Sequence, residues 1–214
     1  VVADTRRRRL VWVPRDLWSD VVGDRINEAY GRGGHELLRA AVRELGIPVE
    51  SSVVLLRSAV EHALSGLRIT VPVDRPRRYW YPLEPTRRLQ DGAKLIVFEP
   101  PQETLAGERI HQWVGARRSA ETPPPRLPDF DRIERQQILV HRLLEEGFDF
   151  TRILDDPALI AVSGASALEQ LAFVRPGWAL RTFTRVEPVT IDGKMVLIRH
   201  RSRLLPRRMW GGRR

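Results

Sequence analysis

The chain has 214 residues, of which 42% are hydrophobic and 29% are charged, a composition typical of a globular protein with one sizeable core. Its net charge of +9 comes almost entirely from arginine, and this bias indicates either an anionic partner or a GC-rich genome. The absence of cysteine excludes disulfides, thiolate catalysis and cysteine-ligated zinc.

The start of the chain predicts a missing upstream segment. The opening VVADTRRRRLVWV has no methionine, and its pattern is that of a strand pair with the arginines at the turn. No signal peptide is recognisable, and no apolar run of about 18 residues predicts a membrane-spanning helix. We therefore expect a further strand and a membrane anchor to belong to a segment that precedes Val1.

Strand and helix patterns alternate along the first half of the chain, which favours an α/β layered domain. After a strand at 10–13, the sequence predicts a helix over 35–45, a strand at 47–56, a short helix over 56–64 and a strand at 67–73. The glycines of GRGG precede the first of these helices. A turn explains them better than a phosphate loop, because no Lys-Ser/Thr pair follows.

The second half of the chain is less regular. Residues 75–104 are rich in proline, and their segment RRYWYP favours a packed loop over a nucleic-acid or membrane contact. One domain over 1–214 is predicted, with a disordered tail at 206–214. The further predicted elements are a strand at 94–98, a short helix within 105–118, a long helix over 132–146, a helix over 165–173, a strand at 178–185 and a hairpin about Asp192-Gly193.

Several common catalytic motifs are absent from the sequence. The five histidines are scattered without metal-ligand spacing, so each is interpreted as an ordinary surface or satisfied histidine. Neither a GxSxG elbow nor a GxxxxGK[ST] loop occurs. These observations disfavour a zinc protease, an α/β-hydrolase and a P-loop nucleotidase.

The long predicted helix begins near PDFDRIERQQ and has two polar residues on its apolar side. At about 100° per residue, Gln136 falls about 40° from Arg132, in the arc of the helix's leucines. Glu134 and Arg135 fall outside the centre of that arc. An inward arginine in the first turn either pairs with a carboxylate, for which Asp129 is close enough, or binds an anion.

Four segments occur in the order and spacing of a known family. They are VPRDLW, GDRINEAYGRGGHELLRAAVREL, LAGERIHQWVGARR and PDFDRIERQQ. Residues 1–150 thereby resemble the LytR-CpsA-Psr family, the cell-wall glycopolymer ligases of bacteria, and the likeness extends more weakly to the predicted hairpin. The resemblance implies an α/β/α sandwich with a mixed central sheet and an apolar channel for a prenyl chain.

The resemblance also implies an activity, a cofactor and partners. Family members bind a polyprenyl-linked glycopolymer and transfer its phosphoglycosyl group to peptidoglycan or another wall acceptor. This implies a phosphotransferase at the extracytoplasmic face of the membrane, with magnesium as cofactor and no nucleic-acid partner. Phosphoryl transfer needs neutralised oxygens and a fixed line of attack, which arginines and aspartates supply.

The family motifs imply a set of site residues in this chain. Arg15 and Asp16 match the PRD pair, Arg25 matches the K/R-I-N motif, Arg117 matches the second arginine of R-x-R, and Asp129, Arg132 and Gln136 match GDxxRxxxQ. The implied catalytic residues are Arg15, Asp16, Asp129 and Arg132. The implied phosphate ligands are Arg15, Arg25, Arg117, Arg132 and Gln136. Asp16 is the implied metal ligand.

The chain departs from the family pattern at three places. Gly115 stands where R-x-R has its first arginine, which removes a pyrophosphate contact and would cost about 2–4 kcal/mol of transition-state binding. The aspartate of the family's S-D-T strand motif, a magnesium ligand, would lie upstream of Val1. Asp131 stands where the family has glycine, and adds an acid beside the implied site.

Gly115 leaves two hypotheses open. The chain is either an active glycopolymer phosphotransferase or a binding module that keeps the lipid pyrophosphate pocket without turnover. A remote alternative is a basic nucleic-acid-binding protein, whose affinity would fall steeply with salt. That alternative gives no reason for Arg132 and Gln136 to face inward.

Overall fold

The computed structural model of the chain describes residues 1–84, 88–121, 128–156, 158, 160–164, 169, 174–184, 186–191 and 193–199. Helices and several sheets alternate within them, which confirms the predicted α/β class. The predicted tail at 206–214 lies outside these residues. The predicted helix at 165–173 also lies outside them, apart from Glu169.

The secondary structure follows the predicted order in outline. The helices are α1 (Ala29–Glu44), α2 (Arg57–Ala63), α3 (Glu108–Gly115) and α4 (Pro128–Glu145). The strands are β1 (Val2–Asp4), β2 (Arg9–Trp12), β3 (Trp18–Ser19), β4 (Asp24–Arg25), β5 (Ser52–Leu55), β6 (Arg68–Pro72), β7 (Arg77–Pro82), β8 (Ala93–Phe98), β9 (Gln102–Ala106), β10 (Arg118–Ser119), β11 (Ile160–Ser163), β12 (Ala179–Thr182), β13 (Val186–Ile191) and β14 (Lys194–Arg199). None of the helices in the described part of the chain is long and apolar enough to cross a bilayer.

The chain divides into two compact units by its internal contacts. Unit 1 comprises Val1–Arg15 and Pro48–Phe183, and unit 2 comprises Asp16–Ile47 and Thr184–Arg214. The single domain over 1–214 and the apolar channel both stay predictions.

Unit 1 contains a mixed sheet in which β2 is antiparallel to β1 and parallel to β12. The other sheets of this unit are antiparallel and have the strand orders β10-β7-β8, β5-β11 and β6-β9. Strand β7 is the segment RRYWYP, so its interpretation as a packed loop was wrong. Arg77, Tyr79 and Tyr81 are buried whereas Arg78 and Trp80 are exposed, which is the alternation of a strand. Because the inward residue Arg77 is charged, the alternation of buried and exposed residues in β7 does not show as an alternation of hydropathy.

The main core of unit 1 packs helices α3 and α4 against its sheets. Phe98 and Trp113 meet edge to face, with ring centroids 4.9 Å apart. The indole N–H of Trp113 donates to the carbonyl oxygen of Arg135 at 2.7 Å, which fixes α3 to α4. A second cluster consists of Leu10, Trp12, Ile133, Leu144, Val174 and Trp178.

Helix α4 begins at Pro128, four residues before the predicted start at Arg132. Proline is tolerated in a first turn because the N–H that it lacks would have no helical partner there. Asp129 and Asp131 also lie in this turn, where negative charge complements the helix dipole. The turn that carries the predicted site is therefore helical rather than a preceding loop.

In unit 2, helix α1 is kinked where the sequence predicted a break before a helix. Gly33 and Gly34 have non-helical backbone angles, and Gly34 has a φ of 60°, which a residue without Cβ adopts at little cost. Strands β13 and β14 pair antiparallel with Ile191 opposite Lys194, which confirms the predicted hairpin. Asp192 of its turn lies outside the described residues.

Candidate functional site

Asp129 joins two predicted site residues at the start of α4. Its carboxylate accepts a hydrogen bond from the backbone N–H of Arg15 at 3.0 Å and pairs with the guanidinium of Arg132. Asp129 is buried and the Arg132 side chain is 11% exposed. Because a buried charge needs a partner, this pair accounts for the inward arginine. A guanidinium has five N–H donors, so the pair is compatible with anion binding as well.

Gln136, a predicted phosphate ligand, contacts helix α3. Its Nε2 donates to the carbonyl oxygen of Val114 at 3.1 Å. This carbonyl belongs to the last turn of α3, where backbone oxygens have no helical partner. Gln136 therefore helps to hold the segment that leads through Gly115 to Arg117.

Arg135 is fully buried, although the helical wheel put it outside the centre of the core-facing arc. Its guanidinium donates to the carbonyl oxygens of Trp113 and Ala116 and lies 4.4 Å from the centre of the Tyr79 ring. Helix-end carbonyls and an aromatic face replace the water that an arginine loses on burial. Such partners come from elements distant in sequence, and helical spacing carries no signal for them.

Asp131 compensates two buried arginines. It accepts hydrogen bonds from Arg77 Nη1 at 3.0 Å and from the Tyr79 hydroxyl at 2.7 Å, and it lies 3.5 Å from Arg135 Nε. Burial raises the pKa of the Tyr79 phenol, which therefore stays protonated and donates. Burial lowers the pKa of Arg135, but the ordinary value is high enough that the guanidinium remains charged. Asp131, which replaces a glycine of the family pattern, is thus held by Arg77, Tyr79 and Arg135.

A cavity of about 450 Å³ opens in unit 1 beside the end of α3. This volume lies in the range of about 300–1,000 Å³ that small-molecule sites occupy. Its wall combines cationic and aromatic side chains with apolar ones. The residues that matter chemically are Arg57, Trp80, His111, Gly115, Arg117 and Arg118. Of these, Arg117 was predicted as a phosphate ligand, and Gly115 was assigned to the same R-x-R motif. Helical or motif spacing gave no reason to group Arg57, Trp80 and His111 with them.

Gly115 lies at the C-terminal end of α3 and is exposed. A Cβ built on this residue would meet no heavy atom within 4 Å. Packing therefore does not require glycine at this position, and a larger side chain has room there.

His111 is the titratable group of the cavity wall. Its Nε2 lies 3.4 Å from Oε1 of Glu61, and its side chain is 13% exposed. Burial and the charge of Arg57 lower the pKa of His111, against the opposite effects of Glu61 and Glu108. The imidazole is therefore neutral at pH 7 and can both donate and accept a hydrogen bond.

Asp16 and Arg25 lie together in unit 2. Arg25 Nη1 is 3.5 Å from Asp16 Oδ1, and Arg25 Nη2 is 3.8 Å from Glu28 Oε1. The backbone carbonyl of Asp16 accepts a hydrogen bond from Leu197 N at 2.9 Å, which fixes this residue to the hairpin strand β14. The predicted pair of metal ligand and phosphate ligand is thus an ion pair within one unit.

The fit of a magnesium ion depends on Asp16. Within the described ranges, no group of three or more histidine, aspartate or glutamate side chains is arranged to hold a metal. Magnesium commonly binds proteins through one or two carboxylates and takes its other ligands from substrate phosphates and water. Asp16 fits that limited role, and its assignment as the metal ligand stays a prediction.

The fold defines a mixed α/β protein, and arginines recur among its candidate site residues. Residues 1–168 match the LytR_cpsA_psr family. The chain therefore belongs to the LytR-CpsA-Psr family, and the resemblance predicted from its four segments is confirmed. Membership supports a cell-wall glycopolymer transferase as the general class of activity, and it is consistent with an extracytoplasmic location.

Solved structures are similar to the chain in fold. B. subtilis TagU is 19% identical, with a TM-score of 0.55 over 92% of this chain and 82% of TagU. TagT, also a B. subtilis protein, is 18% identical in its structure bound to LI-WTA, with a TM-score of 0.61 over 92% of this chain and 75% of TagT. A transcriptional regulator from Enterococcus faecalis is 17% identical, with a TM-score of 0.60 over 92% of this chain and 74% of that protein. Among curated proteins, none matches the chain.

Proposed function

We propose that this chain transfers the phosphoglycosyl group of a polyprenyl-linked glycopolymer to peptidoglycan or another cell-wall acceptor. It would act at the extracytoplasmic face of the membrane. Family membership supports the proposal, and TagT, whose fold is similar, has been solved with LI-WTA bound. The observation that carries it is the Asp129–Arg132 pair at the start of α4.

In the proposed reaction, Arg132 binds a pyrophosphate oxygen while Asp129 holds the guanidinium in place. Phosphoryl transfer depends on positioning and on charge stabilisation, which a guanidinium fixed by a buried carboxylate provides. The N–H groups of the first turn of α4 add to the positive field. Asp129 also accepts a hydrogen bond from the backbone N–H of Arg15. The carboxylate of Asp129 therefore connects Arg132 to the loop that follows β2.

Each unit contributes further proposed ligands. Arg117 and Gln136 would bind phosphate oxygens, and Gln136 also positions the Arg117 segment through Val114. Asp16 and Arg25 would bind a magnesium ion and a phosphate, respectively. Magnesium, when bound, would neutralise the phosphate charge that develops as polyprenyl monophosphate leaves.

The test is a transfer assay on the whole chain. The donor is a polyprenyl-pyrophosphate disaccharide and the acceptor is purified peptidoglycan. The products are the disaccharide joined to peptidoglycan through a phosphodiester, and polyprenyl phosphate. We expect transfer, and we expect Arg132→Gln to lower kcat/KM by about 10²–10³-fold. Arg142→Gln, in the last turn of the same helix, is the matched control and should change it by less than about twofold. Transfer that is insensitive to Arg132→Gln would contradict the proposed site.

Gly115 supports a second candidate function, a binding module without turnover. The family's first R-x-R arginine is missing here, and the structure leaves open space at that position. A binding module would hold polyprenyl pyrophosphate without releasing product, and Gly115→Arg would then restore turnover. Turnover by the wild-type protein would rule this candidate out.

A further inference from the structure

We propose that one face of the sheet β10-β7-β8 docks on an anionic phospholipid bilayer, with its apolar side chains in the interface and its arginines on lipid phosphates. This surface, called the outer face below, includes Arg78, Trp80 and Pro82 of β7, Leu95 and Val97 of β8, and Arg118 of β10. The inference goes beyond the proposed function, because it concerns contact between a sheet of unit 1 and bulk phospholipid and needs no transfer reaction.

Trp80 lies between a leucine and an arginine in one row across the sheet. It is directly opposite Leu95 of β8 on one side and Arg118 of β10 on the other. Because neighbouring strands lie about 4.8 Å apart, the three side chains extend from the same face over about 10 Å. Arg78 and Val97 form the next row, since residues two apart along a strand share a face. The outer face is therefore one continuous surface on three strands.

The outer face exposes large apolar side chains. Trp80 is 41% exposed and Leu95 is 49% exposed, whereas Tyr79 and Ile96, which point to the other side of the sheet, are buried. A contiguous exposed apolar patch with a polar rim is typical of a protein or membrane contact. Tryptophan in particular is enriched where a bilayer meets water, because its ring is apolar and its N–H is polar.

The arginines of the outer face are not neutralised from within the fold. None of the strands β7, β8 and β10 contains an acidic residue. Among the described residues, no carboxylate pairs with Arg78 or Arg118, whereas Arg77, on the inner side, pairs with Asp131 and Glu134. A guanidinium at a bilayer surface binds lipid phosphate while its aliphatic stem lies along apolar groups. The charge of the outer face is thus complementary to that of an anionic bilayer.

The same residues fit other occupants less well. A second copy of the chain on this face would bring arginines against arginines, and like charges across an interface oppose association. A nucleic-acid strand could stack a base on Trp80, but Leu95 and Val97 offer no aromatic surface for further bases. An anionic bilayer accommodates the apolar and the cationic side chains at once, because both terms contribute to interfacial binding.

The experiment measures co-sedimentation of the whole chain with vesicles of mixed phosphatidylglycerol and phosphatidylcholine, beside vesicles of phosphatidylcholine alone. We expect the anionic vesicles to bind at least about tenfold more tightly. Trp80→Ala should weaken this binding by about tenfold, and Leu95→Ala and Arg78→Gln by about fivefold each. Thermal unfolding of each variant verifies that it is folded.

Tryptophan fluorescence locates the contact. Of the tryptophans in the described part of the chain, Trp80 alone is exposed. Vesicles with brominated acyl chains should quench the fluorescence of the wild type, and Trp80→Phe should remove most of that quenching. Equal quenching of the wild type and Trp80→Phe would overturn the proposal.

Two substitutions on other sheets of unit 1 serve as matched controls. Val162 of β11 is 39% exposed, and Arg68 of β6 is an exposed arginine. Val162→Ala and Arg68→Gln should each change vesicle binding by less than about twofold. They control for the general attraction of a chain of net charge +9 to an anionic surface. Equal losses for Arg68→Gln and Arg78→Gln would show that attraction alone, and would overturn the proposal.

The vesicle assay is independent of the proposed function. Its vesicles contain no polyprenyl donor, and Leu95 and Arg78 do not line the cavity beside Gly115. Transfer by a chain that does not bind the vesicles would overturn this inference alone. Vesicle binding with the expected losses but without transfer would support it and contradict the proposed activity alone.

Two further measurements assign the outer face if the vesicles do not bind. Dimerisation in analytical ultracentrifugation that Leu95→Ala abolishes would assign it to a second copy of the chain. Binding of a single-stranded oligonucleotide that Trp80→Ala abolishes would assign it to nucleic acid. Either result, in the absence of vesicle binding, would overturn the proposal.

Discussion

The side-chain amide of Gln136 donates a hydrogen bond to the backbone carbonyl of Val114 at 3.1 Å and so ties helix α4 to the end of helix α3. Val114 is followed by Gly115, and Arg117 lies two residues further on at the cavity wall. A residue that family resemblance implied as a phosphate ligand therefore also positions another implied ligand. Because of this double role, a substitution of Gln136 should change both the stability of the chain and its affinity for a phosphorylated ligand.

Gln136→Ala should lower the free energy of unfolding by about 1 kcal/mol, because one hydrogen bond to a helix-end carbonyl is lost. It should also weaken binding of polyprenyl pyrophosphate, because a proposed phosphate ligand is lost and the segment from Gly115 to Arg117 loses its hydrogen bond to α4. Gln137→Ala is the matched control, since the Gln137 amide donates to Thr182 Oγ1 at 2.9 Å. Urea unfolding and calorimetry should show a similar loss of stability for both variants and weaker binding for Gln136→Ala only. Equal binding by the two variants would contradict the positioning role.

Asp129→Asn should destabilise the chain by about 3–5 kcal/mol, because the buried Arg132 guanidinium loses its carboxylate. Arg132→Gln removes the other charge of the pair. In a double-mutant cycle, the two substitutions together should cost less than the sum of the single changes, with a coupling of about 1–3 kcal/mol. Urea unfolding of the four proteins measures this coupling. Additive losses would mean that the pair does not stabilise the start of α4.

Arg135→Met should destabilise the chain by about 3–5 kcal/mol although it preserves much of the side-chain volume. The substitution leaves the carbonyl oxygens of Trp113 and Ala116 without their donor, and it leaves Asp131 with one buried cation fewer. Arg78→Met, at an exposed position, is the control and should change stability by less than about 0.5 kcal/mol. Similar denaturation midpoints for the two variants would show that the hydrogen bonds from Arg135 to the end of α3 do not stabilise the fold.

The stability of the chain should depend on the protonation of His111. Its pKa is lowered in the folded state, mainly by burial and then by Arg57, so the unfolded chain binds the proton more readily. The stability contributed by neutral His111 is therefore complete above the unfolded value of about 6.5. It is lost as the pH falls through that value, and the loss stops below the folded pKa.

The variant His111→Gln isolates this contribution from those of the carboxylates. Urea midpoints measured from about pH 7.5 to about pH 5 should fall more steeply for the wild type than for His111→Gln. His141→Gln, whose side chain is 58% exposed, controls for the loss of a histidine elsewhere in unit 1. Parallel pH profiles for the wild type and His111→Gln would contradict the expectation.

Local patterns were sufficient for most elements but not for the surroundings of α4. The predicted strands and helices at 10–13, 56–64 and 94–98 match β2, α2 and β8 within a few residues, because their signals are spacing and turn residues within the element. Strand β7 was missed, because the inward position of Arg77 is stabilised by Asp131 and Glu134, which lie more than fifty residues away. A hydropathy pattern cannot contain partners that only folding brings near.

By itself, the amino-acid sequence determined the α/β class, the hairpin near the C-terminal end and the family, since these depend on residue order and short-range spacing. It also placed Arg132 and Asp129 near enough to pair, because three residues along a helix bring side chains to one face. Only the tertiary structure decided that Arg135 is buried, that Gln136 contacts Val114 and that Arg57, Trp80 and His111 share a cavity. Each of these depends on contacts between elements far apart in the chain, where an arginine becomes a core residue or a ligand according to the acceptors that surround it.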